Sequence, residues 1–430
     1  MSDTTDPAAT ARTFATRFLD RSFADAADLL TDDGHDAVVD SFPEEFSDES
    51  MDAADAFEEY WWGLHGQYGE PEGVADLTVD DGDGRVALAF ESGTEIARLA
   101  VTDEGIADLR FDPEYEPPAY ADESAFEERT VTVDAGDVDL DGVLAVPEGE
   151  APVPGVVLVH GAGVHDPDGT AENAKILKDL AWGLASEGIA TLRYEKRLAE
   201  HEVPDEAYTL DRVVVDDAVA AVRTLGAAAE VDDESVFVSG HSQGGMAAPR
   251  IAERHGGVAG VVVLDGRADS VLDPDGLDFM RYEFDVDGDI DEEDRAEIEE
   301  VAAMYRRIAD GEFDDDETIM GKPGVWHRSV GEYDPSGTAS DLDVPTFALK
   351  TCGADHDSQP ELAAFFHRGF EAWRDAPLPA GSRVERYEDV DHYFQHVSTP
   401  TGFLSLYFGG NVADEAVADL ARWVHDTSPR

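Results

Sequence analysis

Hydrophobic and polar residues alternate with different periodicities in different parts of this chain. In residues 6–69 apolar side chains recur at roughly every third or fourth position, the spacing of amphipathic helices. In residues 74–110 the pattern changes to short apolar stretches separated by turn clusters of aspartate and glycine, which is typical of strands in a meander. Helices followed by a meander predict a small α+β domain over residues 1–112.

A second, larger domain follows a proline-bearing linker. We assign residues 113–122 to the linker because the pair Pro117-Pro118 excludes both a helix and a central strand. In residues 123–430 predicted strands alternate with predicted helices, which indicates an α/β fold with a mostly parallel sheet covered on both faces. The interval 266–343 is too long for an ordinary connection, and we predict that it forms a cap.

The strongest chemical signal is a G-x-S-x-G motif centred on Ser242. It lies between a predicted buried strand and a predicted helix, which is the position of a nucleophile elbow. Glycines flank the serine because the turn is too tight for side chains, and the helix N-terminus favours the negative charge that develops in acyl transfer. We therefore predict that Ser242 is a catalytic nucleophile.

A second motif, His160-Gly161-Ala162-Gly163, ends a hydrophobic strand in a loop of small residues. Such a loop allows backbone N–H groups to face a substrate oxyanion. We assign the oxyanion hole to the N–H groups of Gln243 and Ala162. For His160 a role in orienting the loop is favoured over a catalytic one.

The other members of a triad should follow in the order serine, acid, histidine. His392 lies beyond the last predicted strand and is the expected base. Asp355 and Asp357 follow the predicted strand 346–350, and only one of them is expected to reach His392. Asp265, at the end of an earlier strand, is a third alternative that we rank below these two.

The larger domain resembles the bacterial and archaeal α/β-hydrolases of the esterase and dienelactone-hydrolase type. The stretches that carry the resemblance are Val159–Gly163, Asp179–Ala185, Leu192–Arg197 and Gly240–Arg250. The resemblance extends to a branch with an N-terminal accessory domain, similar to the cone-shaped fold of nuclear transport factor and ketosteroid isomerase. No catalytic pair in residues 1–112 supports an isomerase activity, and dimerisation or shielding of the cleft are the two roles considered for this domain.

The resemblance also favours one of the two aspartates after strand 346–350 as the triad acid. Members of the family commonly follow the triad acid with a short pair that contains glutamine, and Asp357-Ser358-Gln359 matches this pattern better than Asp355-His356-Asp357. The spacing from Gly353 is one residue longer than in the family. We predict a Ser242, Asp357, His392 triad, with Asp355 as the alternative acid.

The expected reaction is hydrolysis of a carboxylic ester, or of a thioester, through an acyl-enzyme and without a metal or organic cofactor. A peptidase of the prolyl-peptidase type is one alternative, although no size-selecting domain of that sort is visible. A ligand-binding or scaffold protein without turnover is another. Because all triad candidates follow the linker, we expect the N-terminal domain to be separable from the chemistry.

Composition limits the environment and the partners. The formal net charge is −68, with acidic residues spread through both predicted domains, so nucleic acid and anionic membranes are not expected to bind. The single cysteine, Cys352, excludes an internal disulfide. With no apolar segment long enough to span a bilayer, we expect a cytoplasmic protein, and the dispersed acidity resembles that of proteins from salt-loving archaea.

We predict that stability rises with salt. At molar salt the Debye length falls to about 3 Å, which suppresses repulsion among the acidic groups of the folded surface. The melting temperature in potassium chloride, measured from low to molar concentrations, should therefore increase. A melting temperature indifferent to salt contradicts the halophilic interpretation.

Overall fold

The computed structural model describes residues 6–43, 51–149, 151–402 and 404–429. Its N-terminal part contains helices followed by an antiparallel meander in the order β1-β2-β3-β4. Asp52 and Asp55 form a capping box that begins the longest of these helices. The elements are α1 (Pro7–Leu19), α2 (Phe23–Ala27), α3 (Asp32–Ser41), α4 (Ala53–Tyr68), β1 (Pro71–Asp80), β2 (Asp83–Phe90), β3 (Thr94–Val101) and β4 (Ile106–Phe111).

The larger part is built on an eight-stranded sheet in the order β12-β11-β10-β9-β7-β8-β6-β5. The strands from β12 to β8 in this order are parallel to their neighbours, and β6 and β5 join antiparallel. The predicted α/β fold with a mostly parallel sheet is confirmed. The strands are β5 (Phe126–Asp134), β6 (Asp139–Pro147), β7 (Val153–Val159), β8 (Ala190–Tyr194), β9 (Val231–His241), β10 (Gly260–Leu264), β11 (Thr346–Cys352) and β12 (Arg383–Glu388).

Helices cover both faces of this sheet. Alternate residues of β10 face opposite cores: Val261 and Val263 pack in one hydrophobic cluster, and Val262 and Leu264 pack in the other. None of the described helices is both long and apolar enough to span a bilayer. The helices are α5 (Ile176–Ser186), α6 (Asp216–Gly226), α7 (Gln243–His255), α8 (Arg281–Phe284), α9 (Glu292–Asp310), α10 (Gly324–Gly331), α11 (Pro335–Asp341), α12 (Pro360–Asp375), α13 (Ser405–Phe408) and α14 (Asp414–Thr427).

The interval between β10 and β11 forms the predicted insertion and carries helices α8 to α11. A capping box of Asp291 and Asp294 begins α9, and Gly311, at φ +67°, ends it in the left-handed conformation. The Tyr333 hydroxyl donates a buried hydrogen bond of 2.8 Å to the carbonyl of Met246 in α7. The insertion is thereby attached to the helix that follows Ser242.

The N-terminal helices share a hydrophobic core with the segment that follows His392. Phe408 is 3% exposed and packs against Tyr60 and Phe111, with ring centroids 6.1 and 5.5 Å away. Leu404 is buried in the same cluster, and its carbonyl oxygen would lie 2.8 Å from a Cβ on Gly63. This shared core opposes the expectation of a separable domain, because removing the N-terminal part would expose both side chains to water.

We predict that Phe408→Ala destabilises the whole chain by about 3 to 5 kcal/mol, the usual cost of deleting a buried aromatic ring. Chemical unfolding followed by tryptophan fluorescence measures this loss. The control is Val164→Ala, because Val164 is 63% exposed and its truncation should stay within about 0.5 kcal/mol. Equal stabilities for the two variants would contradict a shared core.

Candidate active site

Ser242 occupies a strained turn between β9 and α7. Its φ of +52° lies in a region that a residue with a side chain rarely adopts, and such strain concentrates at functional sites. The turn requires glycine on both sides, since a Cβ on Gly240 would lie 2.1 Å from the carbonyl oxygen of Gly244. A Cβ on Gly244 would lie 2.5 Å from that of His160. The motif therefore forms the tight strand-to-helix turn that its spacing predicts, and the role of Ser242 as the nucleophile stays a prediction.

The loop after β7 lies directly against this elbow. A Cβ on Gly161 would come within 3.4 Å of the Ser242 Cβ, and Ala162 and Gln243 line the same cavity as Ser242. Gln243 is the first residue of α7, where N–H groups have no partner inside the helix. This placement fits the N–H groups of Ala162 and Gln243 as an oxyanion hole, which stays a prediction.

Lys196 connects the two halves of this predicted hole. Its Nζ donates to the Gly161 carbonyl at 2.5 Å and to the Gln243 Oε1 at 3.2 Å, and its side chain is buried. Burial, together with the charge of Lys322, lowers the pKa of Lys196 to about 7. Lys196 therefore joins the loop after β7 to the first residue of α7.

His392 is held by backbone and side-chain contacts within its own loop and with β9. The Asp391 carboxylate accepts hydrogen bonds from the N–H groups of Tyr393 and Gln395 at 2.8 and 2.9 Å. His241, the residue before Ser242, donates from Nε2 to the His392 carbonyl at 2.8 Å. Burial lowers the pKa of His241 to about 3, so this imidazole is neutral and serves as a structural donor.

The acid beside His392 is Asp265. Its Oδ2 lies 2.5 Å from the His392 Nδ1, and its Oδ1 forms a buried ion pair with the Lys350 ammonium. Asp265 directly follows β10, has a φ of +47° and is buried. Burial alone would raise the pKa of Asp265, but the charge of Lys350 and the hydrogen bond with His392 overcome this and hold it well below its usual value.

Asp357 and Asp355 do not reach His392, and the prediction of Asp357 as its partner is wrong for this structure. Asp357 is exposed in the turn after β11. The Asp355 carboxylate accepts hydrogen bonds from the N–H groups of Asp357 and Ser358 at 3.0 and 2.7 Å, which closes this turn before α12. Gln359, whose position supported Asp357, is buried and donates to the Val286 carbonyl at 3.1 Å.

The physical reason for this correction is the order of strands. β10 lies between β9 and β11, so Asp265 is one strand nearer to Ser242 than any residue that follows β11. The end of β11 is also closely packed, because a Cβ on Gly353 would lie 3.1 Å from the Cα of Asp391. One signal in the sequence could have identified Asp265 as the partner of His392. It directly follows β10, and groups that contact ligands in parallel sheets lie at the carboxyl ends of the strands.

Ser242, His392 and Asp265 line one cavity of about 1210 Å³ beneath the insertion. Its wall is largely apolar and contains side chains from α9, α10 and α12. Thr401, Gly402, Ser405 and Leu406 complete the wall next to the N-terminal part. The aromatic residues in the wall are Phe279, Tyr282, Tyr305, Trp326, Tyr333, Phe365, Phe366 and Tyr393. The insertion therefore supplies a large part of the cavity wall, and its role as a cap stays a prediction.

Two groups of potential metal ligands lie within the part of the chain that the structure describes. One contains Cys352, His356 and Glu388, and the other contains His396, Asp414 and Glu415. None of these six residues lines the cavity. Neither group of potential metal ligands therefore belongs to the candidate active site.

A family model described as "Alpha/beta hydrolase family" matches residues 156–406, which include Ser242, Asp265 and His392. The chain belongs to the α/β-hydrolase family. Esterase EstD of Thermotoga maritima is 30% identical to this α/β-hydrolase over 349 residues, covering 78% of each chain. Of the solved structures, an esterase of Pyrobaculum calidifontis matches 70% of this chain and 85% of its own at 16% identity and a TM-score of 0.44. A proline iminopeptidase of Mycobacterium smegmatis matches 70% of this chain and 99% of its own at 18% identity and the same TM-score, 0.44.

We predict that Asp265→Asn lowers the activity of this α/β-hydrolase by about ten-thousandfold, the usual cost of removing the group that orients a catalytic histidine. Asp357→Asn, the matched control, should change activity little because its carboxylate is exposed. Both variants are measured in the same salt with thermal stability recorded. Because Asp265→Asn leaves Lys350 buried without its partner, the double variant Asp265→Asn/Lys350→Met separates lost catalysis from lost folding. If Asp357→Asn lost activity and Asp265→Asn did not, the triad acid would instead be Asp357, in the loop after β11.

Proposed function

We propose that this protein is a serine hydrolase that cleaves carboxylic esters through an acyl-enzyme. The observation that carries the proposal is the contact between His392 Nδ1 and Asp265 Oδ2 in a cavity that also contains the strained Ser242. A nucleophile, a base and a group that orients the base are the three parts required for acyl transfer.

The roles follow from the protonation of His392. A carboxylate at Nδ1 selects the tautomer that carries its proton on that nitrogen, so Nε2 is free to take the proton of the Ser242 hydroxyl. The serine oxygen then attacks the ester carbonyl, and the N–H groups of Gln243 and Ala162 stabilise the oxyanion. His392 returns the proton to the leaving alcohol, and water releases the acid by the same steps in reverse.

Lys350 keeps Asp265 in the form that this mechanism needs. Its buried ion pair holds the pKa of Asp265 low despite burial, so the carboxylate stays ionised while His392 gains a proton. Because the pKa of Asp265 is lower in the folded than in the unfolded chain, ionised Asp265 stabilises the fold at neutral pH. That stabilisation is lost as the pH falls through the acidic range.

The substrate class is supported by the cavity and by the family relationship. A wall composed mostly of apolar and aromatic side chains favours an acyl or alcohol part with hydrophobic surface. The curated relative with 30% identity is named an esterase. An ester or, with the same chemistry, a thioester is therefore the substrate that we propose, and no step of the mechanism requires a cofactor.

We predict that a fluorophosphonate probe labels the protein and that Ser242→Ala abolishes labelling, because only an activated serine reacts with it. The same variant should abolish hydrolysis of p-nitrophenyl esters, assayed at high salt. His396→Ala is the control, since this exposed histidine pairs with Glu415 outside the cavity. Labelling without ester turnover, together with cleavage of aminoacyl nitroanilides, would overturn the esterase assignment in favour of a peptidase. Absence of labelling would indicate a non-catalytic protein.

A further inference from the structure

Arg267 lies in the cavity wall and has no ion-pair or hydrogen-bond partner among the described residues. It lies two residues after Asp265, its side chain is half-buried, and it lines the same cavity as Ser242. It forms neither an ion pair nor a hydrogen bond with any residue that the structure describes. A guanidinium carries five N–H donors, and those of Arg267 are open to an acceptor that enters the cavity.

The lack of a partner is unusual for this chain. Acidic residues outnumber basic ones by 98 to 30, and most arginines of the described chain form an ion pair with a carboxylate. Four other described arginines have neither an ion pair nor a hydrogen bond, and all four are exposed to solvent: Arg12, Arg85, Arg110 and Arg223. Arg267 differs from them because it faces the proposed active site.

The groups around Arg267 leave it available. Burial lowers the pKa of Arg267, whereas Tyr305 in the cavity wall and the exposed Asp269 act to raise it, and neither of these side chains forms an ion pair with it. Glu283 also lines the cavity, but it forms no ion pair with Arg267 and burial raises its pKa, which favours its neutral form. Lys350, another cation in the wall, is occupied by Asp265.

We propose that Arg267 binds a carboxylate of the substrate, so that the preferred esters carry a negative charge near the scissile bond. This inference rests on the proposed ester hydrolysis at Ser242 and names its substrate class. Arg267 is then a residue that determines specificity, and it takes no part in proton transfer.

The chemistry and the dimensions fit such a ligand. A guanidinium binds a carboxylate through two parallel hydrogen bonds, a geometry that few other side chains offer. Two residues span at most about 7 Å, so Arg267 begins close to the Asp265 and His392 pair and its side chain extends from there into the cavity. The net charge of the chain repels anions at a distance, but molar salt screens that repulsion beyond about 3 Å and leaves direct contacts in place.

The test compares matched pairs of esters at molar salt. Mono-p-nitrophenyl adipate is paired with p-nitrophenyl hexanoate to place the carboxylate on the acyl side. The ester 4-acetoxybenzoate is paired with its methyl ester to place the carboxylate on the alcohol side. For the wild-type protein we expect a higher kcat/KM for the anionic member of at least one pair. Arg267→Gln should lower the kcat/KM of that anionic ester by about tenfold to a hundredfold, the range for a lost hydrogen bond between charged groups. The kcat/KM of the neutral ester should change by less than about threefold.

Two further variants keep this result interpretable. Arg223→Gln removes an exposed arginine that does not line the cavity. For each pair of esters it should leave the ratio of kcat/KM between the anionic and the neutral member unchanged. Arg267→Lys keeps the charge without the fork of donors and should recover part of the preference. If wild type and Arg267→Gln hydrolyse the neutral esters alike and neither favours an anionic partner, the inference is overturned and the esterase stands. If the wild type hydrolyses no ester and Ser242 is not labelled, the proposed function itself fails.

Discussion

The buried carboxylate of Asp265 holds the candidate site together. Its two oxygens contact His392 and Lys350, so one side chain joins the end of β10, the end of β11 and the loop that follows β12. Removing Lys350 would leave the buried charge of Asp265 without its ion-pair partner, which costs several kcal/mol in proteins. The position of the imidazole relative to Ser242 therefore depends on an ion pair between neighbouring strands of the parallel sheet.

Close backbone packing makes this arrangement rigid. Ser242 and Asp265 both have positive φ values, and the backbone of Gly266, after Asp265, packs directly against that of Gly245 in the first turn of α7. A Cβ on Gly266 would lie 2.4 Å from the carbonyl carbon of Gly245, so neither glycine can be replaced without moving one turn away from the other. Strain at two adjacent turns persists because the surrounding sheet and helices allow no alternative.

The cavity wall depends on parts of the chain outside the central sheet. The cap supplies aromatic side chains, and it is attached to α7 through Tyr333. Ser405 and Leu406 line the cavity, while Leu404 and Phe408 on either side of them are buried in the N-terminal core. The N-terminal helices therefore support one wall of the cavity, and their contribution to the site is structural.

The sequence alone determined the α/β fold, the elbow at Ser242 and the position of His392, because these follow from local patterns: apolar strand runs, glycines at a tight turn and the order of elements. It did not determine the acid. Asp265, Asp355 and Asp357 all follow predicted strands, and only the lateral order of β9, β10 and β11 in the sheet decides which carboxylate meets His392. The sequence also did not indicate the partners of Lys350 and Lys196, or that Arg267 would lack an ion pair with the described residues. The identity of a lysine or an arginine does not specify which distant group its side chain will contact. Contacts between residues far apart in the chain are set by packing, and these contacts gave the site its chemistry.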